Sequence, residues 1–495
     1  MTIRNGVQLI VYADRFGGTI PGSAQVIDAH FGDAVTGVHY LPFYIPYDGA
    51  DAGFDPIDHS RPDPRLGTWD DLKAAGRTRD LCADVIVNHM SSQSAQFLDF
   101  TARGDASPYS ELFLTYDRVF PDGATAEDLL RLYRPRPGLP FTTGVVRDGR
   151  RLLWTTFTPE QVDIDVESDA GREYLRTILD RLAESGVRLI RLDAVGYAIK
   201  RAGTASFMLP ETFEFIDDFS RQAHGLGLEV LVEVHSHFRT QIEIAERVDW
   251  VYDFALPPLL LHTLFTGDSR ALRGWVAERP VNAITVLDTH DGIGVIDVGS
   301  DSTGQHGAGL LEEAEVDALV RQIHTNTRFE SADATGAAAS NVDLYQVNST
   351  YYDALGQDDE AYLIARAVQF FLPGIPQVYY VGALAGSNDM DLLASTGVGR
   401  DINRHHYTGA EIARETERPV VQSLIALMRL RSTHAAFTGR FEFTGDEDRI
   451  ILRWSTDSGD TAELDFAPLA RSAVLSWTDE SGSRRVTRLA SLFSS

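Results

Sequence analysis

Short apolar stretches, each ending in polar residues, recur along the chain and predict its architecture. Stretches of this length that are rich in β-branched residues are typical of strands buried on both faces. Eight of them cover 7–14, 35–43, 83–89, 187–195, 228–236, 248–256, 283–291 and 375–382. Because helical stretches lie between several of these strands, the pattern predicts an α/β fold, a (β/α)8 TIM barrel.

Two of the intervening stretches have the spacing of amphipathic helices. In residues 169–186, leucine or isoleucine occupies positions 175, 178, 179 and 182, which share one helical face. Gly186 follows as a typical residue for the end of a helix. Residues 210–227 show the same pattern, so both stretches are predicted to be helices.

Two distances between successive strands are too long for one connecting helix. After the third strand, the stretch RPRPGLPF and many turn residues predict an inserted domain at 86–167. After the seventh strand, glycine, serine and alanine predict a second, loop-rich insertion at 292–355. From 436 to 495, alternating apolar and polar residues predict a C-terminal antiparallel β-domain. The barrel is then assigned to 1–85, 168–291 and 356–435.

Charge excludes some classes of function. The 495 residues include 72 acidic and 44 basic side chains, which give a formal net charge of −28. Such a surface repels phosphate backbones and anionic membranes, so no nucleic acid and no membrane is expected as a partner. The charge suits a protein acting on a small neutral molecule, and an anionic substrate would need a local cluster of positive charge.

The single cysteine and the first apolar stretch bear on the cellular compartment. Cys82 lies beside an apolar strand and is expected to be a core residue, since free cysteine is usually buried. The first apolar stretch spans about six residues before Asp14 and Arg15, which is too short for a signal peptide. No other stretch reaches the length of a membrane span. We therefore expect a cytoplasmic protein.

Three acidic residues, Asp193, Glu233 and Asp291, lie at the ends of predicted strands. Working residues of barrel enzymes lie at the C-terminal ends of the strands, so these carboxylates are expected to converge on one mouth. Neighbouring carboxylates repel each other, which raises the pKa of one of them. Cleavage of a glycosidic bond uses one ionised and one protonated carboxyl group. Each acid alone could instead cap a helix or pair with arginine, but three together favour catalysis.

At these residues the sequence resembles the α-amylase superfamily of glycoside hydrolases. Four motifs of that family occur in its order: DVIVNH at 84–89, RLDA at 191–194, EVH at 233–235 and HD at 290–291. The resemblance implies Asp193 as the nucleophile, Glu233 as the general acid/base and Asp291 as the transition-state stabiliser. Thr289 replaces an asparagine that is usual in the fourth motif, which affects one supporting hydrogen bond and not the carboxylate.

Longer segments narrow the resemblance to the sucrose phosphorylase family within glycoside hydrolase family 13. They include ADAGFDPIDH at 50–59, VLDTHDGIGVIDVGSD at 286–301 and GRDINRH at 399–405. The resemblance implies a hexosyltransferase that converts sucrose and phosphate reversibly into α-D-glucose 1-phosphate and D-fructose by a retaining double displacement. Those four small molecules are therefore the expected partners, and a homodimer is suggested by the resemblance alone.

A phosphorylase has to admit phosphate past three acids, which requires a cation on the acceptor side. Arg136 is the candidate, because neighbouring prolines stiffen its loop and its planar fork suits phosphate. A surface arginine in a turn is the alternative. The resemblance implies that residues 342–346 rearrange between the fructose-binding and phosphate-binding steps. The residues assigned there to acceptor binding are Asp343, Leu344, Tyr345 and Gln346.

Further binding residues surround the three acids. Arg191 lies two residues before Asp193 on the same strand face, so it can keep that carboxylate ionised. The resemblance implies that Asp51 and Arg400 hold the far hydroxyl of the glucosyl ring. It also assigns to sugar binding the histidines and aromatic residues Phe54, His89, Phe157, Tyr197, His235 and His290. For these rings a place in the core is the alternative.

No metal, nucleotide or flavin is expected, because the histidines are scattered and no phosphate-cradling glycine motif is present. Rival functions are a hydrolase or transglucosidase, a phosphorylase whose acceptor is fructose 6-phosphate, glycerate or glycerol, and a non-catalytic barrel scaffold. In 342–346 the only charged residue is Asp343, which favours neutral fructose. The three intact acids argue against a scaffold.

Overall fold

Eight parallel strands form a closed barrel in the computed structural model, which describes residues 3–135, 138–301, 306–335 and 346–489. Barrel strands one to eight are, in chain order, Gln8–Val11, Gly37–Tyr40, Asp80–Ile86, Leu189–Asp193, Glu229–Val232, Trp250–Asp253, Ala283–Thr285 and Ile375–Tyr379. Strand one pairs with strand eight, with Gln8 opposite Gln377, so the sheet has no free edge. The predicted (β/α)8 barrel is confirmed, and every strand overlaps the stretch predicted for it.

Helices connect the barrel strands. The two that the apolar spacing predicted are Asp169–Glu184 and Pro210–Gly225. The first begins after Ser168, whose side chain accepts a hydrogen bond from the backbone N–H of Gly171. The other α-helices of the described residues are Ile20–His30, Trp69–Ala75, Ala95–Arg103, Tyr116–Val119, Ala126–Arg131, Phe238–Ala245, Leu256–Thr266, Arg270–Glu278, Glu313–Asn326, Glu330–Thr335, Tyr351–Ala354, Asp359–Phe371, Tyr380–Ala383, Met390–Thr396, Gly409–Glu415 and Pro419–Thr433.

The chain between barrel strands three and four forms additional structure over the barrel. It contains a hairpin, Phe141–Val146 with Gly149–Trp154, and a second strand pair, His89–Ser91 with Gln161–Asp163. Four of its buried side chains pack in a small cluster apart from the main core, namely Leu114, Phe120, Leu132 and Trp154. A core of its own is what an inserted domain requires, and the predicted bounds 86–167 remain a prediction.

The chain after barrel strand seven contains more regular structure than its glycine-rich and alanine-rich composition predicted. The helix Glu313–Asn326 begins after Glu312, whose backbone N–H donates to Oε2 of Glu315 at 2.8 Å, and the short strand Ile293–Gly294 pairs with Gln346–Val347. This strand pair brings Gln346 back beside the barrel. The bounds 292–355 likewise remain a prediction.

The C-terminal region is a five-stranded antiparallel sheet in sequential order. Its strands are Arg440–Gly445, Ile450–Ser455, Thr461–Ala467, Ser472–Thr478 and Arg484–Arg488. Trp454 donates a hydrogen bond from Nε1 to the carbonyl oxygen of Phe371 at 2.7 Å, which fastens this sheet to the buried helix Asp359–Phe371. The C-terminal β-domain is thus present as the alternating pattern predicted.

Two smaller features complete the fold. A hairpin of Tyr44–Pro46 and Pro56–Pro62 follows barrel strand two and carries residues 47–55. Cys82 is buried on strand three, as expected. Among the helices of the described residues, none combines the length and the apolar character needed to cross a lipid bilayer.

Candidate active site

The structure brings the three predicted catalytic acids together. Asp193 is the last residue of barrel strand four, Glu233 follows strand five, and Asp291 lies in the loop after strand seven. One side-chain ligand atom each of Glu233, His235 and Asp291 lies within 4.8 Å of the others. The C-terminal ends of barrel strands four, five and seven therefore meet at one site, as the barrel geometry dictates.

Arg191 lies among the acids and is 3% exposed. Its Nη1 is 2.9 Å from Oδ1 of Asp193, and its Nη2 is 3.8 Å from Oε2 of Glu233. Burial raises the pKa of Asp193 well above the ordinary value of 3.8; Arg191 acts against this increase, and the charge of Glu233 adds to it. Asp193 therefore lies under the opposing influences of the Arg191 cation and of its burial beside Glu233.

Asp84, the first residue of the DVIVNH motif, was not among the predicted site residues, yet it holds Arg191 in place. It lies opposite Arg191 in the register of strands three and four, and the two side chains form an ion pair. Nε2 of His39 is 3.0 Å from its other oxygen. Although burial acts to raise the pKa of Asp84, His39 and Arg191 lower it to about 2. A fixed negative charge thus orients the arginine that contacts Asp193.

Asp291 is paired with Arg400, which comes from a distant part of the chain. Nη1 of Arg400 is 2.7 Å from Oδ1 of Asp291 and 3.7 Å from Oδ1 of Asp51. Burial acts to raise the pKa of Asp291, but Arg400 and the other neighbouring positive groups together outweigh it, and the pKa lies below its ordinary value. Gln346 accepts from the backbone N–H of Gly292 at 3.3 Å and from Arg400 at 3.5 Å. Asp291 is therefore held as an anion.

Gln161 joins two of the predicted sugar-binding residues, and sequence reasoning did not single it out. Its Nε2 donates to Oδ2 of Asp51 at 2.7 Å and is 3.1 Å from Nε2 of His89. The same ring nitrogen of His89 is 2.8 Å from the carbonyl oxygen of Phe54. Burial lowers the pKa of His89, which favours the neutral ring. The sequence feature that could have indicated Gln161 is the segment QVDID at 161–165, whose strand pairs with the strand of His89.

The predicted aromatic residues form a connected set of rings. Phe54 stacks on His290 with ring centroids 4.6 Å apart and an angle of 9° between the planes. Phe157 contacts His89 at 5.3 Å and Tyr197 at 5.2 Å. Burial lowers the pKa of His290 to about 3, so this ring is neutral near pH 7. An apolar face with few polar groups is what a sugar ring binds against.

His235 contacts a second residue that the sequence did not reveal, Asp297. Its Nδ1 is 3.0 Å from Oδ2 of Asp297, and its Nε2 is 3.9 Å from Oε1 of Glu233. Burial acts to lower the pKa of His235, but Asp297, with Glu233 and Asp291, outweighs it and the pKa is raised. The raised pKa favours the protonated ring beside the predicted acid/base.

Several predicted acceptor-side residues lie outside the described residues. They are Arg136, Asp343, Leu344 and Tyr345. Of the acceptor loop, only Gln346 is described, and it lies beside Arg400. The assignment of this loop and of Arg136 to phosphate therefore stays a prediction.

Glu233, His235 and Asp291 also have the spacing of a possible metal-ligand set. A histidine ligand has to be neutral, whereas the raised pKa of His235 favours the protonated ring. Asp291 already faces the guanidinium of Arg400 at 2.7 Å. The charge of these groups therefore favours proton exchange and charge stabilisation over metal binding at these three side chains.

Comparison with known proteins gives close relatives over the full chain. No family model matches it. It is 54% identical to a sucrose phosphorylase of Bifidobacterium adolescentis over 98% of both chains. It is 56% identical to a sucrose phosphorylase of Agrobacterium vitis, over 92% of this chain and 94% of that one. The solved structure of sucrose 6F-phosphate phosphorylase from Thermoanaerobacter thermosaccharolyticum is 38% identical, with a TM-score of 0.90 over 99% of this chain and 98% of that one.

Proposed function

The chain belongs to the sucrose phosphorylase family of the α-amylase superfamily, and we propose that its barrel mouth transfers the glucosyl group of sucrose to phosphate with retention of configuration. The observation that carries this proposal is the contact of Arg191 with Asp193 beside Glu233. A buried carboxylate against a guanidinium is suited to attack on carbon, and a neighbouring carboxyl group is suited to hold a proton. Family membership makes the chain a hexosyltransferase.

In the first half-reaction, a carboxylate oxygen of Asp193 bonds to the anomeric carbon. The bond from that carbon to the fructosyl oxygen breaks, and Glu233 gives its proton to this oxygen as fructose leaves. Asp291, held as an anion by Arg400, stabilises the positive charge that develops on the sugar ring. The product is a glucosyl ester on Asp193 and an ionised Glu233.

The electrostatics of the pair support this division of roles. Glu233 raises the pKa of Asp193 only while Glu233 is itself charged. A proton on Glu233 removes that repulsion, and Arg191, which is nearer to Asp193, then favours the ionised nucleophile. These contacts support Asp193 as the nucleophile and Glu233 as the acid.

In the second half-reaction, an oxygen of phosphate attacks the anomeric carbon and the ester bond to Asp193 breaks. Glu233 takes the proton from the attacking phosphate oxygen, which restores the starting state. Two displacements on one carbon yield α-glucose 1-phosphate. Asp51, Gln161 and His89 form one hydrogen-bonded network, and we assign it to the hydroxyl groups of the glucosyl ring.

Product analysis tests this function. Sucrose with phosphate is expected to yield α-glucose 1-phosphate and fructose, followed by proton NMR, while sucrose alone yields at most slow release of glucose. In the reverse direction, glucose 1-phosphate is offered separately with fructose, fructose 6-phosphate, glycerol and glycerate, and fructose is expected to be the preferred acceptor. Glucose and fructose as the only products with and without phosphate would refute the phosphorylase.

The pH dependence of sucrose turnover tests the electrostatics of the pair. Since burial raises the pKa of Asp193 above 3.8, the ionised nucleophile is lost as the pH falls through that raised value. The acid limb of kcat/KM for sucrose, measured from roughly pH 3 to pH 8, is therefore expected well above the position that an exposed aspartate would give. Enzyme returned to neutral pH before assay controls for acid unfolding. An acid limb at or below pH 3.8 contradicts the assignment.

A further inference from the structure

Asp297 is a buried carboxylate that the reaction as described does not use. Its side chain is 0% exposed and lies in the loop that follows the strand Ile293–Gly294. It accepts hydrogen bonds from the backbone N–H of Ser236 at 3.1 Å and from Nε2 of Gln241 at 3.0 Å, in addition to Nδ1 of His235 at 3.0 Å. Three donors directed at one buried carboxylate match its charged form.

Gly294 makes the approach of Asp297 to His235 possible. A Cβ atom at position 294 would lie 2.4 Å from Oδ2 of Asp297 and 3.1 Å from Nδ1 of His235. The first distance is closer than a real Cβ atom comes to such an oxygen, so any side chain there would push the two residues apart. The lack of a side chain at Gly294 therefore leaves room for the carboxylate of Asp297 to contact the imidazole of His235.

The His235 ring is fixed in place as well as paired. It stacks on Phe254 with centroids 3.8 Å apart and an angle of 17°. Its Nδ1 faces Asp297, and its Nε2 faces Oε1 of Glu233 at 3.9 Å, with Asp291 also near the ring. Three carboxyl groups from three segments thus surround the imidazole, and the raised pKa of His235 is consistent with a charged ring.

We propose that Asp297 is a positioning residue that holds His235 as a cation beside Glu233, and that this cation directs the glucosyl-enzyme toward phosphate rather than water. Glu233 exchanges a proton with both the departing fructose and the entering phosphate, so a group against Glu233 lies where the acceptor enters. A phosphate anion approaching the glucosyl-enzyme is repelled by the ionised Glu233 and by Asp291, and a fixed cation offsets that repulsion. Neutral water gains far less from the same charge.

The proposal rests on the proposed function, and its first test uses the partition of the glucosyl group. With sucrose and limiting phosphate, the ratio of glucose 1-phosphate to glucose is measured for the wild type and for Asp297→Asn. Inactive molecules contribute to neither product, so a smaller folded fraction leaves the ratio unchanged. We expect the ratio to fall about tenfold or more, because without the carboxylate of Asp297 the His235 ring is no longer held as a cation on the acceptor side.

The matched control is Asp253→Asn. Asp253 is equally buried, and its carboxylate accepts from Nε of Arg279 and Nε1 of Trp275 rather than from a histidine. Its loss is expected to cost stability while leaving the product ratio at the wild-type value. Gly294→Ala, which changes no charge, is expected to lower the ratio in the same direction. It keeps the proposal testable if Asp297→Asn does not fold.

A second measurement does not depend on turnover. In enzyme labelled with ¹⁵N-histidine, with the signals of His235 assigned by comparison with His235→Gln, the ring is expected to stay protonated to a higher pH than an ordinary histidine. Asp297→Asn should return it toward the ordinary value. An unchanged product ratio, or a His235 that titrates normally in the wild type, would overturn the proposal. A wild type that forms no glucose 1-phosphate would instead refute the proposed function, and the titration would still report on Asp297.

Discussion

Asp193→Asn is expected to lower kcat for the phosphorolysis of sucrose by roughly 10⁴-fold or more. The amide keeps the volume of the side chain and its place at the end of barrel strand four, but its oxygen cannot form the glucosyl ester. The loss should extend to every glucosyl donor, since each one needs the same nucleophile. Initial rates with sucrose and with α-glucosyl fluoride measure it.

Stability has to be separated from chemistry in this variant. Arg191 would keep Asp84 and Glu233 as partners, so we expect the fold to survive, and the removal of a buried carboxylate with a raised pKa can even stabilise it. Thermal unfolding followed by circular dichroism checks this point. The same Asp253→Asn control should keep kcat near the wild-type value. A variant at position 193 with an unchanged rate would reject the nucleophile.

Glu233→Gln is expected to lower kcat for sucrose by roughly 10²- to 10⁴-fold, which is the range of a general acid. The effect should depend on the leaving group. Fructose leaves as an alkoxide unless it receives a proton, whereas fluoride needs no protonation. We therefore expect first-step rates with α-glucosyl fluoride to fall far less than rates with sucrose. This contrast separates position 233 from position 193, where both donors should fail.

The measurement is the rate of fluoride release against the rate of fructose release, each relative to the wild type. The backbone N–H of Ala194 lies 3.3 Å from Oε2 of Glu233, and the amide oxygen of glutamine can accept the same hydrogen bond, so the side chain should keep its position. Equal losses with the two donors would contradict the role of Glu233 as the acid. They would point to a positioning role for this carboxylate instead.

The barrel was predictable from the sequence because its determinants are local. Strands buried on both faces need continuous apolar residues, and such stretches stand out whatever the rest of the chain does. The helix Asp169–Glu184 was equally visible, since its apolar side chains repeat at helical spacing. By contrast, the helix Glu313–Asn326 has few buried positions, with Leu319 and Ile323 buried, and its pattern is correspondingly weak.

The partners of the site residues could not be predicted in the same way. Arg400 reaches Asp291 across more than a hundred positions of sequence, and Gln161 reaches Asp51 from the insertion. Such contacts depend on how loops return to the barrel mouth, which no local pattern encodes. Of these partners, Asp84 was the easiest to predict from the sequence. It lies on the strand next to that of Arg191, directly opposite it in the parallel register.

The strand pair that joins Ile293–Gly294 to Gln346–Val347 separates the second insertion from the residues that we assign to the glucosyl ring. The groups that we assign to the glucosyl ring, Asp51, His89 and Gln161, are contributed by the barrel and by the first insertion. The second insertion leaves the barrel at Ile293 and returns at Val347. On the proposed assignment of the acceptor loop, changes in the chain between these points alter the acceptor while the donor pocket is preserved. Ile293 and Val347 are also natural junctions for exchanging this segment between relatives in the laboratory.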